Sequence, residues 1–344
     1  MAGDAPTPAT AGQYLARRRN HLGSIKKDLG DLQGWRSLIA ELIQNADDAK
    51  DATEMAFTID DDALSVWNDG TFSKCDQLDA RTCPWELRGD PACDFHSFSD
   101  VAGGAKEDRE DATGAFGIGF TAAYQVTDLP VLTSSGKRWT IDETRPEDSR
   151  IFSEDVVDAG GTVFLLPWAR ELSYMRRELE QPVITSESIQ ELTEELFASV
   201  PESMLFLRRL TRIVVSSETR TVTFDRDPSD KTIEVRSSDG ECWRWHVLDG
   251  SFAPVAEDLR ATHPNELPRR RSPSVSVALN LTGDSPSGRF YATLPTDEAT
   301  WLPLSVQGSF FPKPDRKRIR LDNAPRDEWN RAIIDLCRHR DYAA

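Results

Sequence analysis

Glu41, Asn45 and Asp48 are the three side chains whose types and spacing most clearly suggest chemistry. On a helix they fall within a narrow sector of one face. Leu38, Ile39, Leu42, Ile43 and Ala46 fill the adjoining sector, where they can pack on a sheet. A carboxylate, a carboxamide and a second carboxylate therefore line one stripe. About seventy residues on, Gly114, Gly117 and Gly119 form a glycine-rich turn that runs through Phe116, Ile118 and Phe120 into an apolar helix ending near Tyr124. Backbone N–H groups and a helix dipole at such a turn receive polyphosphate. Together the two stretches read as an ATP site.

Each stretch alone has an ordinary explanation. A polar stripe on an amphipathic helix is normally its solvated face. The glycine turn does not follow a strand within a βαβ unit, and it lacks the Gly-Lys-Ser/Thr ending of a P-loop, so those two nucleotide folds are disfavoured. Their order decides more than either does, because Val66 to Phe72 lies between them and Gly160 to Leu165 follows them.

With these four stretches in this order, the chain resembles the gyrase-B, heat-shock chaperone, histidine kinase and MutL group of ATPases (GHKL). Glu41 to Ala49 is similar to that family's N-box, Asn68 to Phe72 to its adenine-binding turn, Gly114 to Phe120 to its lid-end glycine box, and Gly161 with Thr162 to its last strand motif. Leu205 to Leu210, Trp301 to Pro303 and Phe310 to Ile319 resemble the sacsin-like branch, so the resemblance covers nearly the whole chain.

The resemblance implies an α+β protein: a Bergerat-fold α/β sandwich, with a mixed sheet backed by helices, followed by a smaller strand-rich middle domain of the transducer type. It implies Mg²⁺-dependent ATP binding and hydrolysis that drives lid closure and domain rearrangement, within a larger sacsin-like or chaperone-like protein. ATP-linked homodimerisation would run through residues 13–29, and further domains or a client protein would receive the work. The alternatives are a structural or regulatory nucleotide-binding module with negligible turnover, or the ATPase of a DNA-transaction or defence complex.

Phosphoryl transfer to water needs an oriented nucleophile, a metal and donors aimed at the moving group. Glu41 is the general base that orients the water. Asn45 offers an amide oxygen to Mg²⁺, a hard cation that needs few protein ligands beside phosphate oxygens. The resemblance places Asp48, and Ala49 at the motif's end, in the nucleotide pocket, whereas Asp47 is expected on the exposed side. Asn68 stands where the family most often has aspartate. It reads adenine through its carbonyl and NH₂, with Asp69 as the fallback contact, Gly70 allowing close approach, Phe72 closing the turn and Thr162 completing the pocket. Lys106 supplies charge to the phosphates from the lid. A basic residue from the second half meets the γ-phosphate, with Arg316, Lys317 and Arg318 as equal candidates.

A net charge of −17 argues against bulk electrostatic affinity for nucleic acid or acidic membrane. No apolar run reaches transmembrane length and the start has no secretory pattern, so a cytoplasmic protein is expected. Cys75, Cys83, Cys93, Cys242 and Cys337 are odd in number and irregular in spacing, which points to reduced thiols. Cys83, Cys93 and His96 are close enough to suggest zinc, but their spacing matches no standard ligand pattern.

The organisation that must position these residues reads as follows. Residues 1–11 are Pro-rich and expected to be disordered, and 12–170 form the ATP-binding domain with its lid at about 73–113. A helical junction spans 171–200 and the middle domain 201–344. Helices are predicted over 13–29, 35–50, 171–180, 187–198 and 327–338. Strands are predicted over 55–60, 63–67, 131–134, 138–141 and 162–166, then 212–215, 221–224, 232–235, 242–247, 275–281 and 289–294. The ending at Asp341 to Ala344 carries no closing signature, so the chain is expected to continue in a longer protein.

Overall fold

The structure is a computed structural model that describes residues 20–32, 34–77, 82–90, 92–99, 118–158, 160–267, 271–282, 288–292, 294–300, 302–313, 318–322 and 324–338. Residues 13–19 of the helix predicted over 13–29 lie outside the described residues; the rest is seen within α1 (His21–Asp31), and the predicted N-box helix as α2 (Trp35–Asp48). The corner between them is fixed by one side chain. Gln125 Oε1 accepts the Gly34 N–H at 2.9 Å, and its Nε2 donates to the Leu32 carbonyl at 3.0 Å. Gly34 has φ of 108°, a value that favours glycine.

The strands of the first half are β1 (Glu54–Ile59), β2 (Ala63–Asn68), β3 (Val131–Ser134), β4 (Lys137–Ile141), β5 (Ile151–Asp155) and β6 (Thr162–Pro167). Those of the second half are β7 (Arg212–Ser216), β8 (Thr221–Ser229), β9 (Thr232–Ser237), β10 (Cys242–Ser251), β11 (Ser274–Asn280), β12 (Arg289–Ala292), β13 (Leu294–Ala299) and β14 (Leu304–Gly308). Between and around them lie α3 (Asp94–Ser99), α4 (Ile118–Thr121), α5 (Tyr174–Leu179), α6 (Ser186–Ser203), α7 (Ala253–Thr262) and α8 (Pro325–Arg338).

These strands correct the expected architecture. Instead of a helix-backed Bergerat α/β sandwich with a smaller strand-rich domain after it, both halves form one mixed 14-stranded sheet. Its order is β13-β12-β14-β11-β10-β9-β8-β7-β1-β2-β6-β3-β4-β5, and the helices are few beside it. The join is the parallel pair β1·β7, where Met55 stands opposite Ile213 and Phe57 opposite Val215. All four of those side chains are fully buried. An apolar strand left as an edge would expose its row of N–H and C=O groups to any other strand, and pairing removes that liability. The alternation of residues marks each strand but not its neighbour, so the continuity was not visible in the pattern.

A second correction concerns the described part of 73–113, since residues 78–81, 91 and 100–113 lie outside the described residues. Its charged, glycine-rich composition suggests a loop, yet the structure packs Cys83, Ala92, Cys93, Phe95 and Phe98 into the main core. A 3₁₀ turn at Glu86–Arg88 and the helix α3 lie within this stretch. Phe95 and Phe98 carry it, meeting Phe72 with ring centroids 5.4 and 6.2 Å apart. A smaller second core surrounds Trp329 of α8, joining Phe252, Val306, Phe311 and Ile333. No helix among the described residues is long and apolar enough to cross a membrane.

Candidate functional site

The stripe on α2 is not a solvated face. Glu41 is 5% exposed and Asn45 8%. A surface helix hides its apolar side and leaves carboxylates in water, because burying them costs several kcal/mol unless a polar partner compensates. Among the described residues the Asn45 carboxamide has no hydrogen-bond partner. Asp48 keeps one oxygen, Oδ2, buried without one, while its Oδ1 pairs with the Arg208 guanidinium.

Asp47, expected to be exposed, is buried instead, and the reason is geometric. Its Oδ1 accepts the backbone N–H groups of Arg208, Arg209 and Leu210 at 3.1, 2.8 and 3.0 Å. Arg209 Nη1 returns a bond to the Asp47 carbonyl at 2.9 Å. The last turn of α2 thus caps the segment that leads into β7.

That same end of α2 meets the 68–70 turn. Ala49 follows the helix, and a Cβ placed on Gly70 would stand 3.0 Å from the Ala49 Cβ and 3.1 Å from that of Ala52. Only glycine allows so close a contact. Asn68 is buried, and its Oδ1 accepts the Gly70 N–H at 3.0 Å. One acceptor lone pair is therefore already in use, and among the described residues the Nδ2 donates to nothing. Asp69 is drawn away from this network. Its Oδ1 accepts the N–H groups of Thr53 at 2.8 Å and Glu54 at 3.0 Å, and its Oδ2 the Thr53 hydroxyl at 2.7 Å. Burial pushes its pKa up, but these donors outweigh burial and hold it below the usual aspartate value.

Thr162 stands opposite Asn68 on β6, and Ser134 opposite Thr162 on β3. The Thr162 hydroxyl donates to the Gly70 carbonyl at 2.8 Å. Its single proton being spent there, the 2.9 Å contact with Ser134 Oγ takes its proton from serine, which shares it with the Gly161 carbonyl at 3.3 Å. Ser134 Oγ in turn accepts the Phe72 N–H at 2.9 Å. Two adjacent strands, β6 and β3, and the turn after β2 are joined by this buried pair of hydroxyls. Gly161, next to Thr162, has φ of 78°, and a Cβ there would press on the Asn68 carbonyl and lie 2.7 Å from Trp67 Nε1.

Gly114, Phe116 and Gly117 lie outside the described residues, as do Lys106, Arg316 and Lys317. Ile118 and Gly119 open α4, which is a single turn continued by a 3₁₀ turn at Ala122–Gln125. So short a helix has little macrodipole. Phe120 is buried, 4.8 Å from the Phe98 ring and 5.6 Å from Phe164. α4 packs on α2, so the far end of the glycine stretch lies against that helix. Arg318 is exposed, its carbonyl accepting the Lys313 N–H at 2.8 Å.

Residues 21–144 match the Sacsin domain family. The N-terminal part of the chain is therefore sacsin-like. Over 94% of its length the chain is 23% identical to human Sacsin, of which it spans 9%. A solved structure, the N-terminal domain of a DNA repair protein, superposes with a TM-score of 0.47 at 13% identity, covering 92% of this chain and 95% of that one. So distant a likeness carries no argument.

Sequence reasoning missed Arg208, Asp47 and Ser134. The run Leu205 to Leu210 stood out as a phrase, and a pair of arginines inside an apolar run is the signal that this segment meets carboxylates. Nothing in the sequence alone points to Ser134, whose place depends on which strand pairs with β6.

Proposed function

We propose that this chain binds ATP with Mg²⁺ at a GHKL-type site between α2 and the 68–70 turn, and hydrolyses it. The observation that carries the reading is the buried Asn45 carboxamide, without a hydrogen-bond partner among the described residues, one turn from the buried and unpartnered Oδ2 of Asp48. Buried polar atoms left without a partner call for a polar occupant, and a magnesium-chelated triphosphate supplies one.

Asn45 presents a carboxamide oxygen to the metal, while Glu41 orients and deprotonates the attacking water. Adenine lies by Asn68, Gly70 and Thr162, where the Asn68 NH₂ donates to a ring nitrogen and the remaining lone pair of Oδ1 accepts from the exocyclic amine. The phosphates reach toward Gly114 to Gly119, and Lys106 adds charge. Arg208 already brings a cation from the second half to α2, and joins Arg316, Lys317 and Arg318 as the group that meets the terminal phosphate. Because Asp47 and Asp48 grip Arg208, a change in the site's charge is felt directly by the chain entering β7. ATP-dependent pairing of two copies and transfer of the work to attached domains complete the proposal, in a cytoplasmic protein.

Isothermal titration with ATP, ADP and GTP, with and without Mg²⁺, tests it. The expected result is Mg²⁺-dependent ATP binding with preference over GTP. No heat with any nucleotide, at concentrations reaching the millimolar range, would overturn it.

A further inference from the structure

Cys75, Cys83, Cys93 and His96 come from three separate stretches of chain: the segment after the 68–70 turn, the residues leading into the 3₁₀ turn, and the start of α3 with the residue before it. Their Sγ and ring nitrogen atoms all lie within 4.8 Å of one another. Cys83, Cys93 and His96 are buried and Cys75 is half-buried, and none of the three cysteines is in a disulfide. We propose that these four residues bind one Zn²⁺ as a closed Cys₃His site that staples the segment following the 68–70 turn.

The ring of His96 shows how it is poised. Nε2 lies 3.0 Å from the Gln77 carbonyl oxygen, which can only accept, so Nε2 carries the proton. In the neutral ring Nδ1 is then a lone pair, and it sits 3.4 Å from both Cys75 Sγ and Cys93 Sγ. A metal-ligating histidine usually spends its other N–H on a carbonyl or carboxylate in this way, which fixes tautomer and orientation. Without a metal, a single lone pair could accept a proton from only one of the two thiols.

The spacing of the donor atoms suits the ion. Tetrahedral zinc with Zn–S near 2.3 Å sets its donor atoms about 3.5–3.8 Å apart, so the cluster needs only a small contraction. Three thiolates and an imidazole select zinc over magnesium or calcium, which take oxygen ligands. Four protein ligands leave no open position, so the ion has a structural and not a catalytic role.

The surroundings explain why a staple is useful. Between Phe72 and Ser99 the only α-helix among the described residues is α3, of six residues, too short to hold itself. Ser73 donates its N–H and hydroxyl to Asp94 Oδ2 at 2.8 and 2.7 Å, tying the same two stretches from the other side. The metal would lock what Phe72, Phe95 and Ser73 begin, independently of any nucleotide.

The test is metal analysis of the full chain, expressed with zinc in the medium and purified under reductant without chelator. About one zinc per chain is expected, released by titrating the thiols with a mercurial. If zinc is lost in purification, the reduced protein is titrated with Co²⁺, and the ligand-field bands of a tetrahedral, thiolate-rich site are expected. Cys75→Ser and His96→Ala should lose the metal, His96→Cys should retain it, and Cys242→Ser and Cys337→Ser should be unaffected. Removing the ion should lower the melting temperature and open cleavage between 76 and 92 to protease. Neither stoichiometric zinc nor a tetrahedral cobalt spectrum, or loss of metal equally from the Cys242 and Cys337 variants, would overturn the proposal, as would a disulfide within the cluster in the freshly isolated protein.

Discussion

The carboxylate of Asp47 holds the backbone N–H of Arg208 with both oxygens, Oδ1 at 3.1 Å and Oδ2 at 3.0 Å. Residues 161 apart in sequence thereby set the one place where the two halves of the sheet meet, since Thr53 and Thr211 follow within a few residues and begin β1·β7. The Thr211 N–H donates to the Thr53 carbonyl at 2.8 Å, continuing the same seam. An aspartate at the end of α2 thus does for the incoming chain what a cap does for a helix: it satisfies a run of donors that burial would otherwise strand.

Asp47→Ala leaves the N–H groups of Arg208, Arg209 and Leu210 without that acceptor. Each buried donor left unsatisfied costs about 1–3 kcal/mol, and partial hydration of the exposed side lowers the sum, so a loss of about 2–4 kcal/mol is expected. Urea unfolding measures it. Asp47→Asn, which keeps one acceptor oxygen, should cost less, and equal losses for the two would show that the charge and not the N–H cap is what matters.

Glu41→Gln keeps the size and hydrogen-bonding shape of the side chain but removes its basicity. ATP affinity should stay within about threefold of the parent, and phosphate release should fall by about 10²–10⁴. A chain that merely stores nucleotide would show no turnover to lose, so the parent's own rate is the control that separates the two readings.

Gly70→Ala places a Cβ against Ala49, Ala52 and Asn68 Oδ1, at 3.0, 3.1 and 3.1 Å. The turn must lift from the end of α2, at about 1–3 kcal/mol for an overpacked site. If adenine sits here, affinity for ATP should fall at least about tenfold, corresponding to about 1.4 kcal/mol. Comparable stability loss with unchanged affinity would move the base elsewhere.

Periodicity located the elements that bear the site. Leu38, Ile39, Leu42 and Ile43 marked the buried side of α2, and the pattern in Ala63 to Trp67 and Thr162 to Leu166 marked β2 and β6. It did not show that the stripe beside that apolar face would also be covered, because burial of Glu41 depends on which elements arrive over it. Asp47 was misplaced for the same reason, since its partners lie far along the chain. β5, α7, β13 and β14 escaped notice. β5 has only one residue that is not exposed, Ile151, so no alternation is visible, and α7 buries only Ala256. Cys75 could not be joined to Cys83, Cys93 and His96 by spacing, as the fold and not a short motif brings it to them.

Acid should weaken the turn through Asp69. Its folded pKa is held below the ordinary 3.8 because donors from Thr53 and Glu54 outweigh burial. A lowered carboxylate stabilises the fold at any pH above its unfolded value, and that contribution is lost as pH falls through the folded value. Other carboxylates, Asp142 among them, are lowered too, so the parent's acid limb alone cannot isolate this residue. The difference between the parent and Asp69→Asn does isolate it: it should be constant from pH 7 to about 5 and shrink steadily below about 4. A difference that stays the same down to pH 2 would mean that shape, and not charge, is what Thr53 and Glu54 recognise.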